Sequence, residues 1–178
     1  MRKFHGAVIT LFTLVCLLST VRSAVAQSKS SARSPMSNKA AIEALEQRYL
    51  EAFNAKDVNA IMANYAPGNQ LFVFDAVPPR EYPSWESYKK DWEGLFATFP
   101  GPARDTMSGL SITVIGPVAY AHHVEDTHFT QKNGTSKELV VRVTDVFRKI
   151  NGKWLIVQEH VSFPVDVDSG KADLLSKP

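Results

Sequence analysis

The sequence has almost no cysteine. Its single cysteine, Cys16, lies inside an N-terminal apolar run, so the rest of the chain has no thiol for disulfide or redox chemistry. A folded domain must therefore rely on a hydrophobic core, which a chain of this length can build. The sequence also lacks a nucleophile elbow, a phosphate-binding glycine loop and a paired-cysteine motif. These absences argue against serine hydrolases, nucleotide enzymes and redox proteins.

The first 26 residues are typical of a secretory signal peptide. They have a charged start at residues 1–3, an apolar run at 7–18 and a small-residue cleavage site at 24–26, which would leave Gln27 first. The apolar run is too short to span a bilayer comfortably. We therefore predict a periplasmic or secreted protein that has no membrane association after cleavage.

Basic charge shows no excess beyond this segment. Three of the 20 Lys and Arg residues (Arg2, Lys3 and Arg22) leave with the signal peptide, so 17 basic side chains remain against 18 acidic ones. This balance provides no basic footprint for nucleic acid, and we predict no nucleic-acid partner. Residues 27–37 are rich in serine and predict a disordered linker.

Helical periodicity follows the linker. Apolar residues recur every three or four positions and predict a helix over residues 38–55, capped by Ser37 or Asn38. A short helix capped by Asp57 follows, and a third helix, capped by Ser84, carries an aromatic stripe that we expect in the core. Residues 71–74 predict a short strand, which places Asp75 at a strand end.

The second half of the chain changes to a two-residue period. Turn signals at residues 116–117, 133–134 and 151–152 separate four strands and predict an antiparallel meander. Helices first and strands later indicate an α+β fold whose sheet curls over the helices.

Glu159 interrupts the more apolar face of the last strand. A two-residue hairpin turn at 151–152 would place Thr144 opposite Glu159 and Arg142 opposite Val161. Arg142 and Glu159 would then be diagonal neighbours on one face. Such a pair is either a structural salt bridge or the wall of a polar cavity, and the sequence favours neither.

The preceding strand is rich in histidine and acidic residues. A three-residue loop at residues 133–134, favoured because Val118 and Tyr120 then join the apolar face, would put His122, Asp126 and His128 inside. On a strand, His122 and His128 would be roughly 20 Å apart. We therefore predict no metal site.

With these elements in place, the chain resembles the SnoaL-like, ketosteroid-isomerase-like members of the nuclear-transport-factor-2-like superfamily. The resemblance covers about residues 38–168, followed by a C-terminal tail at 169–178. It depends on RYLEAF at 48–53, KDV at 56–58, YAP at 65–67, FD at 74–75, VTDVFR at 143–148 and NGKWLI at 151–156. It implies a cone-shaped fold with three N-terminal helices packed in a curved, mostly antiparallel sheet. It also implies a small-molecule pocket at the open end and a homodimer formed through the sheet's outer face.

The resemblance to ketosteroid isomerase implies catalytic residues. Tyr49 matches a pocket tyrosine and Asp75 a carboxylate base, whereas Arg142 stands where a protonated aspartate is found in that enzyme. Asp75 would take a proton next to a carbonyl, and Tyr49 and Arg142 would donate hydrogen bonds to the developing oxyanion. The predicted reaction is an isomerase or lyase reaction that needs no cofactor. The predicted ligand-binding residues are Tyr65, Trp92, Asp126, His128 and Glu159.

Two alternatives stay open at this point. Tyr49 could be a core aromatic residue, and Asp75 could cap a turn. The domain could also be a non-catalytic ligand-binding or assembly module, because the fold alone does not decide function.

Overall fold

Three helices occupy the first half of the described chain, which comprises residues 36–177 of a computed structural model. They are α1 (Asn38–Asn54), α2 (Val58–Met62) and α3 (Trp85–Thr98). The predicted signal peptide and residues 27–35 of the predicted linker lie outside the described residues. Among residues 36–177, no helix is long and apolar enough to cross a membrane.

The predicted helix caps are confirmed. The Ser37 hydroxyl accepts a hydrogen bond from the Ala40 N–H, and an Asp57 carboxylate oxygen accepts one from the Ala60 N–H, at 3.2 and 3.0 Å. Ser84 accepts from the Ser87 N–H at 3.2 Å. Each cap satisfies a backbone donor that the first turn of a helix leaves without an intrahelical partner.

Six strands form one mixed sheet. They are β1 (Phe72–Phe74), β2 (Glu81–Tyr82), β3 (Ala103–Ile115), β4 (Val118–Thr130), β5 (Ser136–Ile150) and β6 (Lys153–Ser162). Their order is β2-β1-β6-β5-β4-β3, with β1 parallel to β6 and the other pairs antiparallel. The predicted α+β class and the four-stranded meander, β3 to β6, are confirmed. The short β2, which follows a proline-containing loop, was not predicted.

The core lies between the helices and one side of the sheet, which we call the inner face. Phe53 of α1 makes edge contacts with Trp92 of α3, with ring centroids 5.7 Å apart, and lies the same distance from Phe129 of β4. The predicted aromatic stripe thus joins both helices to the sheet. Aromatic pairs of this geometry add to the stability that burial provides.

A β-bulge in β6 determines which residues face inward. Near the turn, Ile156 pairs with Phe147, as a two-residue loop requires, but Glu159 pairs with Asp145 and leaves Val157 without a partner. The prediction that Thr144 lies opposite Glu159 is therefore wrong. One extra residue shifts the register and reverses the side on which later residues lie.

The same shift corrects the face of β4. Val124 pairs with Arg142, in agreement with a three-residue loop, and the Gln131 N–H donates to the Thr135 carbonyl at 2.9 Å. Because the bulge reverses which residues of β5 face inward, however, β4 directs His123, Glu125 and Thr127 inward. The expectation that His122, Asp126 and His128 face inward is wrong, and Val118 and Tyr120 are exposed.

Residues after β6 fold back along β5. The Val140 N–H donates to the Leu174 carbonyl at 2.7 Å, and Lys177 reaches Asp126 and Glu138 at 2.6 and 2.9 Å. These contacts place much of the predicted C-terminal tail beside the sheet.

Candidate functional site

An apolar cavity of about 380 Å³ lies between helices α1 and α3 and the inner face of the sheet. This volume lies within the range of small-molecule sites. Its apolar walls include Phe53, Leu95, Phe129, Val141 and Val161. Its polar or partly polar lining includes Tyr49, Asp75, Tyr88, Asp91, Trp92, Glu125 and Glu159.

Asp75 reaches the cavity because it directly follows β1. That strand runs parallel to β6 with Val73 beside Glu159, so the end of β1 lies close to this inner acidic residue of β6. The Asp75 N–H donates to the Arg80 carbonyl at 2.9 Å, and the side chain accepts from the Val77 N–H at 3.4 Å. Burial raises the pKa of Asp75 to about 6, while the backbone N–H groups of Val77 and Ala76, which donate to the carboxylate, oppose the rise. An aspartate of this pKa remains mostly ionised at neutral pH and is a stronger base than an ordinary one.

Tyr49 and Trp92 bring hydrogen-bond donors to the same cavity. The two rings pack edge to face at 6.3 Å. Burial, together with the surrounding carboxylates, raises the pKa of Tyr49 well above its usual value, so the phenol keeps its proton. The Trp92 indole N–H is buried and has no hydrogen-bond partner within residues 36–177. Both groups can donate to a ligand oxygen.

Glu159 is held by two tyrosines at the inner side of the cavity. Tyr65 donates to one carboxylate oxygen and Tyr88 to the other, both at 2.6 Å. Burial raises the pKa of Glu159, and the two phenol hydrogen bonds oppose that rise. Tyr65 therefore contributes to the site through Glu159, whereas Tyr88 lines the cavity itself.

A buried group of ionisable side chains, the acidic cluster, continues from Glu159 behind Tyr49. Its members are Glu46 of α1, His123 and Glu125 of β4, Asp145 of β5 and Glu159 of β6. His123 Nε2 lies 3.1 Å from Glu125 Oε1, and His123 Nδ1 lies 3.9 Å from Asp145 Oδ2. All five residues are at most 7 % exposed.

Burial perturbs the pKa of each member of the acidic cluster. It raises the pKa of Glu46 to about 7 and that of Glu125 to about 8, and it raises the pKa of Asp145 well above its usual value. It lowers the pKa of His123, so the imidazole is neutral at neutral pH. Neighbouring carboxylates reinforce the upward shifts, because like charges disfavour ionisation.

Four predicted site residues do not line the cavity: Tyr65 reaches it only through Glu159, and the other three lie away from it. Arg142 is exposed and donates to the Phe163 carbonyl at 3.1 Å, so its expected contact with the ligand oxygen is wrong. Asp126 and His128 lie on the outer face, with Asp126 bound to Lys177. The single extra residue at Val157 accounts for all three displacements. Tyr49, Asp75, Trp92 and Glu159, in contrast, line the cavity.

Most of the acidic cluster was not predicted from the sequence, although two signals were present. Glu46 lies at helical spacing between Ile42 and Tyr49, on the apolar side of α1. His123 and Glu125 continue the every-second-residue series of Ala119 and Ala121, which are fully buried. Small apolar residues mark an inner face as well as large ones do, and the larger Val118 and Tyr120 had suggested the opposite face.

A curved sheet packed on three helices is the fold of the nuclear-transport-factor-2-like class. The sequence matches the SnoaL-like domain over residues 42–166, and the chain belongs to this family. No curated protein matches the chain.

Solved structures agree with this assignment. An NTF2-like protein of unknown function from Pseudomonas putida KT2440 is 28 % identical, with a TM-score of 0.70, and the match covers 80 % of this chain and 99 % of that one. A ketosteroid isomerase-like protein from Erwinia carotovora atroseptica is 21 % identical, with a TM-score of 0.58 and coverages of 69 % and 93 %. A putative dehydratase from the NTF2-like family of Streptomyces avermitilis is 13 % identical, with a TM-score of 0.61 and coverages of 68 % and 92 %. The last two share the fold.

Proposed function

We propose that this chain is an exported enzyme that removes a proton next to a carbonyl group, an isomerase or lyase for a small, largely apolar compound. The observation that supports this proposal best is that Asp75 and Tyr49, from different elements, line one apolar cavity. A base and a hydrogen-bond donor that reach the same bound molecule are the two groups that enolate formation needs.

The proton transfer uses side chains of the chain itself. Asp75 takes the proton from the carbon beside the carbonyl, and the electron pair moves into the enolate. Tyr49 and the unpaired Trp92 N–H donate hydrogen bonds to the enolate oxygen. Return of the proton from Asp75 to another carbon completes an isomerisation. Transfer of that proton to a β-hydroxyl group, which leaves as water as the enolate forms a carbon–carbon double bond, completes a dehydration. The names of two structural relatives, a ketosteroid isomerase-like protein and a putative dehydratase, agree with both outcomes.

Hydrogen exchange tests this proposal before the natural substrate is known. The purified chain is incubated in D₂O with a panel of β,γ-unsaturated cyclic ketones and β-hydroxyketones, and proton NMR follows deuterium entry and product formation. Asp75→Asn is expected to lower the exchange rate at least about 100-fold, the range of a lost general base. The exposed Asp168→Asn is the matched control. Equal exchange by wild type and Asp75→Asn on a compound that the wild type turns over would remove Asp75 as the base.

A non-catalytic binding module is the second candidate, and the mainly apolar walls of the cavity favour it. Such walls retain an apolar ligand whether or not turnover follows. Mass spectrometry of small molecules that copurify with the chain identifies this ligand. Binding that persists in Asp75→Asn, with no exchange in the wild type, supports the module over the enzyme.

Export and dimerisation belong to the same proposal. The intact mass of the mature protein is expected to match a chain that begins at Gln27. The outer face exposes Ile115, Val118 and Tyr120, which are 64 %, 40 % and 44 % exposed. An exposed apolar patch of this kind fits a second copy of the chain, and light scattering of the purified protein measures the dimer.

A further inference from the structure

The acidic cluster contains three potential metal ligands from three different elements. Glu46 of α1, His123 of β4 and Asp145 of β5 each offer a ligand atom, and these atoms all lie within 4.8 Å of one another. Bonds of about 2.0–2.2 Å to a shared ion separate two donors by at most about 4.4 Å. A closure of a few tenths of an ångström would therefore bring all three donors onto one ion.

These side chains hold polar atoms for which the protein supplies no partner. Glu46 Oε1, His123 Nδ1 and Asp145 Oδ1 are buried and make no hydrogen bond within residues 36–177. The residues are 2 %, 4 % and 1 % exposed. An unpaired buried polar atom is energetically unfavourable, so three in one cluster indicate a missing partner. A cation satisfies all three atoms at once.

The second ring nitrogen of His123 is arranged as in a metal site. His123 Nε2 lies 3.1 Å from Glu125 Oε1, which leaves Nδ1 directed towards Asp145 Oδ2. Histidine ligands of metals commonly donate their other ring N–H to a carboxylate, which fixes the tautomer and exposes the lone pair. Glu125 supplies that carboxylate.

We propose that Glu46, His123 and Asp145 bind a divalent transition-metal ion of the Zn²⁺ type beside the cavity. One imidazole and two carboxylates match the donor preferences of such ions. The charge of the ion balances the two carboxylates, which otherwise face each other in a buried place. The cavity gives an entry route, since Tyr49, Glu125, Val143 and Glu159 line both it and the cluster. This proposal is independent of the proposed proton transfer.

A second cluster on the outer face provides a matched control. Asp126, His128 and Glu138 also bring three donor atoms within 4.8 Å. Lys177 already lies 2.6 and 2.9 Å from its two carboxylates, so a cation is present in the protein itself. The buried cluster is expected to bind metal and this exposed one is not.

Zinc titration distinguishes the two clusters. The purified chain is treated with a chelator, dialysed and titrated with Zn²⁺ by calorimetry, and melting is recorded with and without the ion. We expect one Zn²⁺ per chain with micromolar or tighter affinity and a higher melting temperature. His123→Gln and Asp145→Asn are expected to weaken binding at least about 10-fold, and His128→Gln to leave it unchanged.

Two results would overturn the proposal. One is that the wild-type protein neither binds Zn²⁺ with micromolar or tighter affinity nor melts at a higher temperature in its presence. Protons alone would then neutralise the carboxylates of the cluster. The other is binding that is lost in His128→Gln and kept in Asp145→Asn. Circular dichroism of the metal-free variants checks their folding, and Glu46→Gln replaces any variant that fails to fold.

Discussion

Asp145 and Glu159 lie directly opposite each other on β5 and β6, and both side chains are buried. Two like charges at such a pair of positions destabilise a sheet. The two carboxylates differ in the hydrogen bonds that offset this repulsion. Glu159 receives two phenol hydrogen bonds, whereas an oxygen of Asp145 has no partner within the described part of the chain.

The two tyrosines that hold Glu159 are expected to differ in function although they are alike in stability. Tyr65→Phe and Tyr88→Phe each leave one buried carboxylate oxygen without a donor, which should lower the free energy of unfolding by about 1–3 kcal/mol in urea titrations. Only Tyr88 lines the cavity, so Tyr88→Phe should also weaken binding of a copurified ligand. Tyr120→Phe, on the exposed outer face, is the control. Unchanged stability in both buried variants would contradict the role of the two hydrogen bonds.

Asp105 should make the protein less stable as the pH rises. Its side chain accepts from the Thr127 hydroxyl at 2.9 Å, its other oxygen has no partner within residues 36–177, and burial raises its pKa from 3.8 to about 9. Below about pH 4 the folded and unfolded states both hold the proton, whereas from pH 4 to 9 only the unfolded state releases it. The contribution of Asp105 to the unfolding free energy therefore falls across this interval.

Asp105→Asn tests this pH dependence, because an amide keeps the shape without the charge. The variant should be nearly as stable as the wild type at pH 4 and increasingly more stable than it as the pH rises to 8, measured by urea unfolding. Asp168→Asn is the exposed control. A stability difference that does not grow with pH would rule out Asp105 as the titrating group.

Local sequence patterns identified the elements of this fold but not the faces of its strands. Three helix caps and the two-residue period of the meander could be predicted because they depend on residues close together in the sequence. No sequence signal identifies Val157 as the bulge residue, because it is one more β-favouring residue in a strand rich in such residues. Since strand faces alternate, overlooking the bulge reversed the predicted faces of β5 and β4 together. Arg142 was therefore predicted on the inner face, where the structure places Asp145.

The candidate site likewise contains residues that could be predicted from the sequence and residues that could not. Tyr49 and Asp75 were predicted because the resemblance to a known family supplied them, and both line the cavity. Glu46, His123 and Asp145 come from three elements far apart in the sequence, so no local motif joins them. Only the strand register and the packing of α1 on the sheet bring their side chains together.

Arg142 offers a direct test of the corrected register. Its guanidinium is exposed and donates to the Phe163 carbonyl, so Arg142→Gln should change ketone exchange by less than about twofold and stability by less than about 1 kcal/mol. The sequence-based alternative, in which Arg142 stabilises an oxyanion, requires a loss of about 100-fold or more. Exchange rates by NMR and urea midpoints measure both effects. Arg148→Gln, another outward arginine on β5, is the control.

Asp75 should set the acid side of the pH–rate profile. Because burial raises its pKa to about 6, kcat/KM for a turned-over ketone should rise with pH and reach half its plateau near pH 6, so that the rate at pH 5 is roughly a tenth of the plateau. The negative charge of Asp91 contributes to that raised pKa. Asp91→Asn should therefore move the midpoint to lower pH without removing activity, whereas Asp75→Asn should remove the rate itself. A midpoint that stays near pH 6 in Asp91→Asn would show that the two carboxylates do not interact, and a wild-type midpoint near pH 4 would show that Asp75 is solvated like an ordinary surface aspartate.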